Sequence, residues 1–159
     1  MKVNLLIDNP NVLSDYLNLD PCMSEGGDAR IKADISDLDE YVEDNECEEL
    51  RVHNVLTYFD SNKVDNMLNN WIKKLRLNGK ISVSDVDIEQ VFKAYQRCGI
   101  NLLKLNELLF GHQSKKWDFK KCGLSMIVME EALKAKGLTI TKKYFENYNF
   151  VIEAQRNGY

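Results

Sequence analysis

Only eight residues separate Ile7 from Tyr16, which close and open two short apolar, strand-like runs at residues 3–7 and 16–19. A full helical crossover between parallel strands needs about a dozen residues or more. Any helix between these two strands is therefore vestigial, and the turn formers Asp8-Asn9-Pro10-Asn11 occupy the gap. The next breaks are also short. Ser24-Glu25-Gly26-Gly27-Asp28 precedes a weaker run at residues 30–33, and Ser36-Asp37 opens a stretch through Leu38, Tyr41 and Val42 that suits one or two helical turns. Residues 49–52, leading into Val55 and Leu56, read as a further strand.

After residue 60 the period changes. Val64, Met67, Leu68, Trp71, Ile72 and Leu75 recur at three- and four-residue spacing, an amphipathic helix that Asn78-Gly79 stops. Ile81 and Val83 then alternate with Ser82 and Ser84 as a strand ending at Asp85-Val86-Asp87. Asp87 followed by Gln90 resembles a capping box, with Ile88, Val91, Phe92 and Tyr95 on one helical face up to Gly99. A second helix follows at residues 102–109, and Ser125 caps a third that ends at Gly137. Residues 138–143 alternate, as do residues 150–154 after a turn at Glu146-Asn147, which implies an antiparallel strand pair. The expected architecture is an α/β sheet, mostly parallel, with a C-terminal antiparallel hairpin and helices shortened in the N-terminal half. At 159 residues, one domain over 1–159 is expected.

Composition narrows the classes of function. With 44% hydrophobic and 29% charged residues but only 8 Gly and 2 Pro, the chain is neither disordered nor fibrous, and its apolar runs are too short to span a bilayer. The opening apolar run is broken by Asp8 and lacks a cleavage site of small residues, so a cytoplasmic protein is expected. Cys22, Cys47, Cys98 and Cys122 form no CxxC pair and have no His at ligand spacing, which predicts free thiols and no metal site. Charge is uneven: residues 1–50 hold 14 acidic against 3 basic side chains, and residues 51–159 hold 11 against 18. A solvated acidic region beside basic helices accounts for this, although such a field also orients a partner.

The order of these pieces resembles the small members of the class I S-adenosylmethionine-dependent methyltransferase family, and the resemblance covers nearly the whole chain. Val3-Asn4-Leu5-Leu6-Ile7-Asp8 stands where the family's first strand runs into a Gly-Cys-Gly turn, and Leu17-Asn18-Leu19-Asp20-Pro21 is similar to its second strand. Lys32-Ala33-Asp34-Ile35-Ser36-Asp37-Leu38 is similar to its third strand and acidic turn. Residues 48–59, Glu-Glu-Leu-Arg-Val-His-Asn-Val-Leu-Thr-Tyr-Phe, are similar to its fourth strand. Residues 71–81 resemble the Leu-Lys-Pro-Gly-Gly turn into the fifth strand, and Leu109-Phe110-Gly111-His112-Gln113 a Leu-Tyr-Gly-Gly-Gln segment of one subgroup. Compact chains of this family also occur in phage genomes, so the resemblance accommodates a phage origin.

The resemblance implies a site for S-adenosylmethionine. Asp20 takes the place of the carboxylate that accepts from both ribose hydroxyls, and a carboxylate's two oxygens suit a diol. Asp34 and Ile35 take the positions that touch the adenine, and Asp8 lies in the turn beside the methionine part. The chain departs from the pattern in that turn. Leu6, Ile7 and Asp8 replace glycines whose lack of a side chain lets backbone approach the ligand, so the cofactor site reads as degenerate.

Each residue also has a structural reading. An Asp at a strand end forms turns and caps, which applies to Asp20, and Asp34 in Ala-Asp-Ile-Ser-Asp suits an Asx turn. Asn54 aligns with the family's His and would orient an acceptor without acting as a base, whereas His53 points to the other face as a hydrogen-bonded histidine. His112 is the candidate for chemistry, in a polar loop that the related subgroup places over the substrate. That loop also carries Lys115, Lys116, Lys120 and Lys121 around Trp117 and Phe119, a pattern that pairs with phosphates and stacks on bases. The acidic chain favours a solvated lid over nucleic acid. Three functions follow: a methyltransferase acting on a small-molecule acceptor, a non-catalytic binding or structural module with a protein partner, and a nucleic-acid-directed protein. Membrane association is not expected, and the sequence leaves the oligomeric state open.

Overall fold

The computed structural model describes residues 1–23 and 29–158. The turn expected at Ser24-Glu25-Gly26-Gly27-Asp28 lies outside them. One sheet holds β1 (Lys2–Leu5), β2 (Leu17–Leu19), β3 (Arg30–Ile31), β4 (Cys47–His53), β5 (Leu75–Val86), β6 (Leu138–Glu146) and β7 (Asn149–Arg156), in the order β3-β2-β1-β4-β5-β7-β6. The strands from β3 to β5 are parallel. β7 enters antiparallel to β5, and β6 pairs antiparallel to β7. This is the mostly parallel, Rossmann-like sheet with a C-terminal antiparallel hairpin that the strand pattern implies.

The helices are α1 (Ser61–Lys74), α2 (Ile88–Gln96), α3 (Leu102–Phe110) and α4 (Met126–Ala135). No helix joins β1 to β2. Between β3 and β4 the expected stretch around Leu38 makes one helical turn, with the Val42 N–H donating to the Leu38 carbonyl at 2.9 Å. The third strand is shorter and earlier than the resemblance suggests, at Arg30–Ile31, because Asp34 and Ser36 fold into a turn instead.

α1 ends before Asn78-Gly79, and β5 begins at once with Leu75. The Lys74 ammonium is buried at the helix C-terminus against Asp39 at 2.6 Å and Asp44 at 2.9 Å, which fixes the end of the helix there. Asn78 and Gly79 then lie inside β5, where the pairing with β4 shifts register. A Cβ on Gly79 would stand 2.8 Å from the carbonyl oxygens of Arg76 and Cys47, so only glycine fits the close approach of the two strands.

Alternation along the strands separates two faces. Leu50, Val52, Ile81, Val83, Phe150, Ile152 and Ala154 share one core with Met67, Leu68, Trp71 and Ile72 of α1 and Met126, Met129 and Leu133 of α4. The Trp71 indole donates to the Ile35 carbonyl at 2.8 Å, fastening the β3–β4 connection over the same core. The intervening residues Asn4, Glu49, Arg51, His53, Ser82, Ser84, Glu153 and Gln155 form a more polar face, apolar only toward the carboxyl end of β5, at Val86 and Val151. α2 and α3 pack on each other at the carboxyl edge, where Val91 and Leu105 join Val86. Among the described residues no helix is long and apolar enough to cross a membrane.

Candidate functional site

At the carboxyl end of β2 the Asp20 carboxylate is fully buried. One oxygen accepts from the Asp8 N–H at 3.0 Å and the Cys22 N–H at 2.9 Å. The other accepts from the Asn9 N–H at 3.3 Å and from Arg30 Nη1 at 2.9 Å. A carboxylate offers about four lone-pair sites, so the chain's own donors match its capacity. The donors converge because the connection after β1 is short. Asp8 turns the backbone through φ +43°, the left-handed region, and aims two successive N–H groups back at β2.

Two asparagines shape the rest of that connection. Asn4 Nδ2 donates to Asn18 Oδ1 at 2.8 Å across β1 and β2. The same oxygen accepts from the Leu13 N–H, and Asn18 Nδ2 donates to the Leu13 and Tyr16 carbonyls. Arg30 and Asn18 are thus site residues that motif reasoning misses. The signal for Asn18 was its register opposite Asn4, two polar residues on one face of adjacent strands.

Asp34 accepts from the Ser36 N–H at 2.9 Å and the Ser36 hydroxyl at 2.6 Å, an exposed Asx turn. The Ile35 side chain is fully buried in the core. Asn54 follows β4 at φ +56°, and its Oδ1 accepts from Asn149 Nδ2 at 2.8 Å. His53 Nε2 is 2.8 Å from the Ser82 hydroxyl, and burial, with Arg51 alongside, pushes its pKa down to about 4. His112 is exposed, with Nδ1 3.9 Å from Glu107.

The segment after α3 folds back over the carboxyl edge. Gly111 begins it at φ +79°, where a Cβ would meet the Asp118 carbonyl at 2.8 Å. Lys115 reaches Asp8 at 2.5 Å, and the Trp117 ring meets Tyr58 edge-on at 6.0 Å. The Lys121 N–H donates to the Thr57 carbonyl at 2.6 Å, in the 3-10 turn Leu56–Tyr58. Three of the four lysine side chains thus have a partner within the chain: Lys115 on Asp8, Lys120 Nζ on the Leu108 carbonyl at 3.1 Å, and Lys121 Nζ 3.8 Å from Asp60. Beneath the segment lies Asp85, fully buried, accepting from the Thr57 hydroxyl at 2.9 Å, the Thr57 N–H at 3.2 Å and the Val86 N–H at 2.9 Å. Burial raises its pKa. A cavity of about 400 Å³ opens beside this cluster, lined by Asn54, Ser84, Leu108, Lys120 and Asn149 among others. Among the described residues no three His, Cys, Asp or Glu side chains group as metal ligands.

No protein-family model and no curated protein sequence matches the chain. Solved structures do match. A SAM-dependent methyltransferase from Archaeoglobus fulgidus superposes with a TM-score of 0.64 at 10% identity, covering 98% of this chain and 86% of that one. A SAM-dependent methyltransferase from Methanosarcina mazei gives 0.63 at 13% identity, covering 98% and 92%. The chain spans much less of some longer structures, 43% of one and 36% of an O-methyltransferase family protein from Burkholderia thailandensis, the latter with a TM-score of 0.55 at 11% identity over 81% of this chain. The fold is that of a class I methyltransferase.

Proposed function

We propose that this chain is a methyltransferase-fold protein that works as a non-catalytic binding module and does not take S-adenosylmethionine. The observation that carries this reading is the Asp20 carboxylate, buried and bonded by Asp8, Asn9, Cys22 and Arg30 from its own chain. A ribose diol would have to displace at least two of those donors and leave them unpaired, at about 1–3 kcal/mol each. The residues around it agree. Leu6, Ile7 and Asp8 fill the turn where backbone would approach a ligand, Ile35 is committed to the core, and Lys115 lies across the turn on Asp8. The residues present therefore do not fit the cofactor, and no chemistry is routed through it.

The position of Asp20 at the end of β2 favours a second reading, an active methyltransferase in which the connection after β1 opens. His112 and Asn54 would then serve a small-molecule acceptor. Calorimetric titration with S-adenosylmethionine and S-adenosylhomocysteine, backed by thermal melts, separates the two. The binding-module reading expects no heat and no shift in Tm at millimolar ligand. A working site at 100-fold excess over its Kd would add about 2.7 kcal/mol of stability, and that result overturns the reading. With the cofactor silent, a protein or small-molecule partner is the next object of search. The lysines of residues 115–121 support nucleic acid poorly, since Lys115 is paired with Asp8 and the Lys120 ammonium donates to the Leu108 carbonyl.

A further inference from the structure

The cavity at the ends of β4, β5 and β7 lies away from Asp20 and has one unusual wall. Lys120 is partly buried there, its Nζ donating to the Leu108 carbonyl at 3.1 Å and lying 5.8 Å from the centre of the Tyr58 ring. Among the described residues no carboxylate oxygen comes within 4.0 Å of it, whereas most lysines of the chain hold one. Withdrawing an ammonium partly from water without a close counter-ion carries a cost, and the amine gives up its proton more readily. Burial lowers the Lys120 pKa, against the opposing fields of Asp85 and Asp118. An unprotonated lysine amine is a nucleophile toward carbonyl carbon.

The rest of the lining suits such a ligand. Val86 and Leu108 offer apolar surface, and Ser84, Asn147 and Asn149 offer polar contacts. Asn54 commits its Oδ1 to Asn149, so its amide N–H groups remain to meet a carbonyl oxygen. The volume, about 400 Å³, is that of a small-molecule site.

We propose that this cavity takes a small aldehyde or ketone and holds it as an imine on Lys120, with Asn54 orienting the carbonyl oxygen. The Nζ lone pair forms the new C–N bond, the C=O π pair moves to oxygen, and the oxygen leaves as water with the two amine hydrogens. Nothing is oxidised or reduced. The assignment is independent of whether S-adenosylmethionine binds, because it uses none of the residues around Asp20.

The test is performed on the intact chain. The protein is incubated with butyraldehyde near neutral pH, the imine is trapped with borohydride, and the labelled lysines are mapped by peptide mass spectrometry. Lys120 is expected to carry label several-fold ahead of the exposed Lys116. Label spread over exposed lysines, with Lys120 no faster than Lys116, overturns the proposal without recourse to any variant. Lys120→Arg should lose the fast site, and persistence of the fast phase in that variant also overturns it. Asn54→Ala should slow labelling at Lys120 and leave Lys116 unchanged; an unchanged Lys120 rate removes Asn54 from the assignment.

Discussion

His53 shows how a single half-buried group makes the stability of this chain depend on pH. Its pKa is about 4 in the folded protein against 6.5 for an ordinary histidine. Between those values the unfolded chain takes up a proton that the folded one refuses, so stability is intact above about 6.5 and falls as pH drops toward 4. Urea midpoints measured across that window should decline more steeply for the native chain than for His53→Asn, and parallel slopes would refute the assignment. His53 was legible in the sequence as a hydrogen-bonded histidine of the polar face. Asp20 was legible only in part. Its place at a strand end follows from Leu17-Asn18-Leu19-Asp20, but which donors surround it depends on main-chain N–H groups and on Arg30, ten residues away, and no spacing rule exposes them. Lys120 was hidden for a related reason: in the sequence it belongs to a run of solvated lysines, and only the fold turns it inward.

At the level of elements, Asp87 does more than its capping-box pattern suggests. One carboxylate oxygen accepts from the Gln90 N–H at 3.0 Å and caps α2, while the other accepts from the Met126 N–H at 2.8 Å at the start of α4. Two helices far apart in sequence therefore begin on one side chain. Asp87→Ala is expected to lower the unfolding free energy by about 1–4 kcal/mol, two caps at roughly 0.5–2 each, read from urea denaturation. A loss of only about 0.5–2 kcal/mol, one cap's worth, would show that Ser125, whose hydroxyl accepts from the Val128 N–H at 3.3 Å, holds α4 alone. The helices were the most legible elements, because a 3.6-residue period over nine or more residues leaves few alternatives. Boundaries were less so. The switch from α1 to β5 at Leu75 is set by the buried Lys74 and its two carboxylates, a tertiary contact that overrides the local stop at Asn78-Gly79.

For the whole molecule, the two faces of the sheet differ in what they contribute. Adjacent residues on β7 make the contrast measurable. Ile152→Ala opens a cavity in the core and should cost about 2–5 kcal/mol, whereas Glu153→Ala, on the polar face, should stay within about 0.5 kcal/mol. Equal losses in urea would mean that the polar face is packed rather than hydrated. The architecture as a whole was readable from the alternation of residues 80–84 and 150–154 and from the brevity of the first connection; the strand order rests on long-range pairing that alternation alone does not specify. That order has a consequence in time. β7 is made after β6, yet it is inserted between β5 and β6, and among the described residues β6 bonds to no other strand. On the ribosome, Leu138–Glu146 emerges before its partner β7 exists, so the edge of β5 stays open and β6 waits undocked until Asn149–Arg156 clears the exit tunnel. Completion of the sheet thus waits on β7, and a nascent chain halted just short of it exposes the open edge of β5 and an unpaired β6 to whatever chaperone or neighbour is at hand.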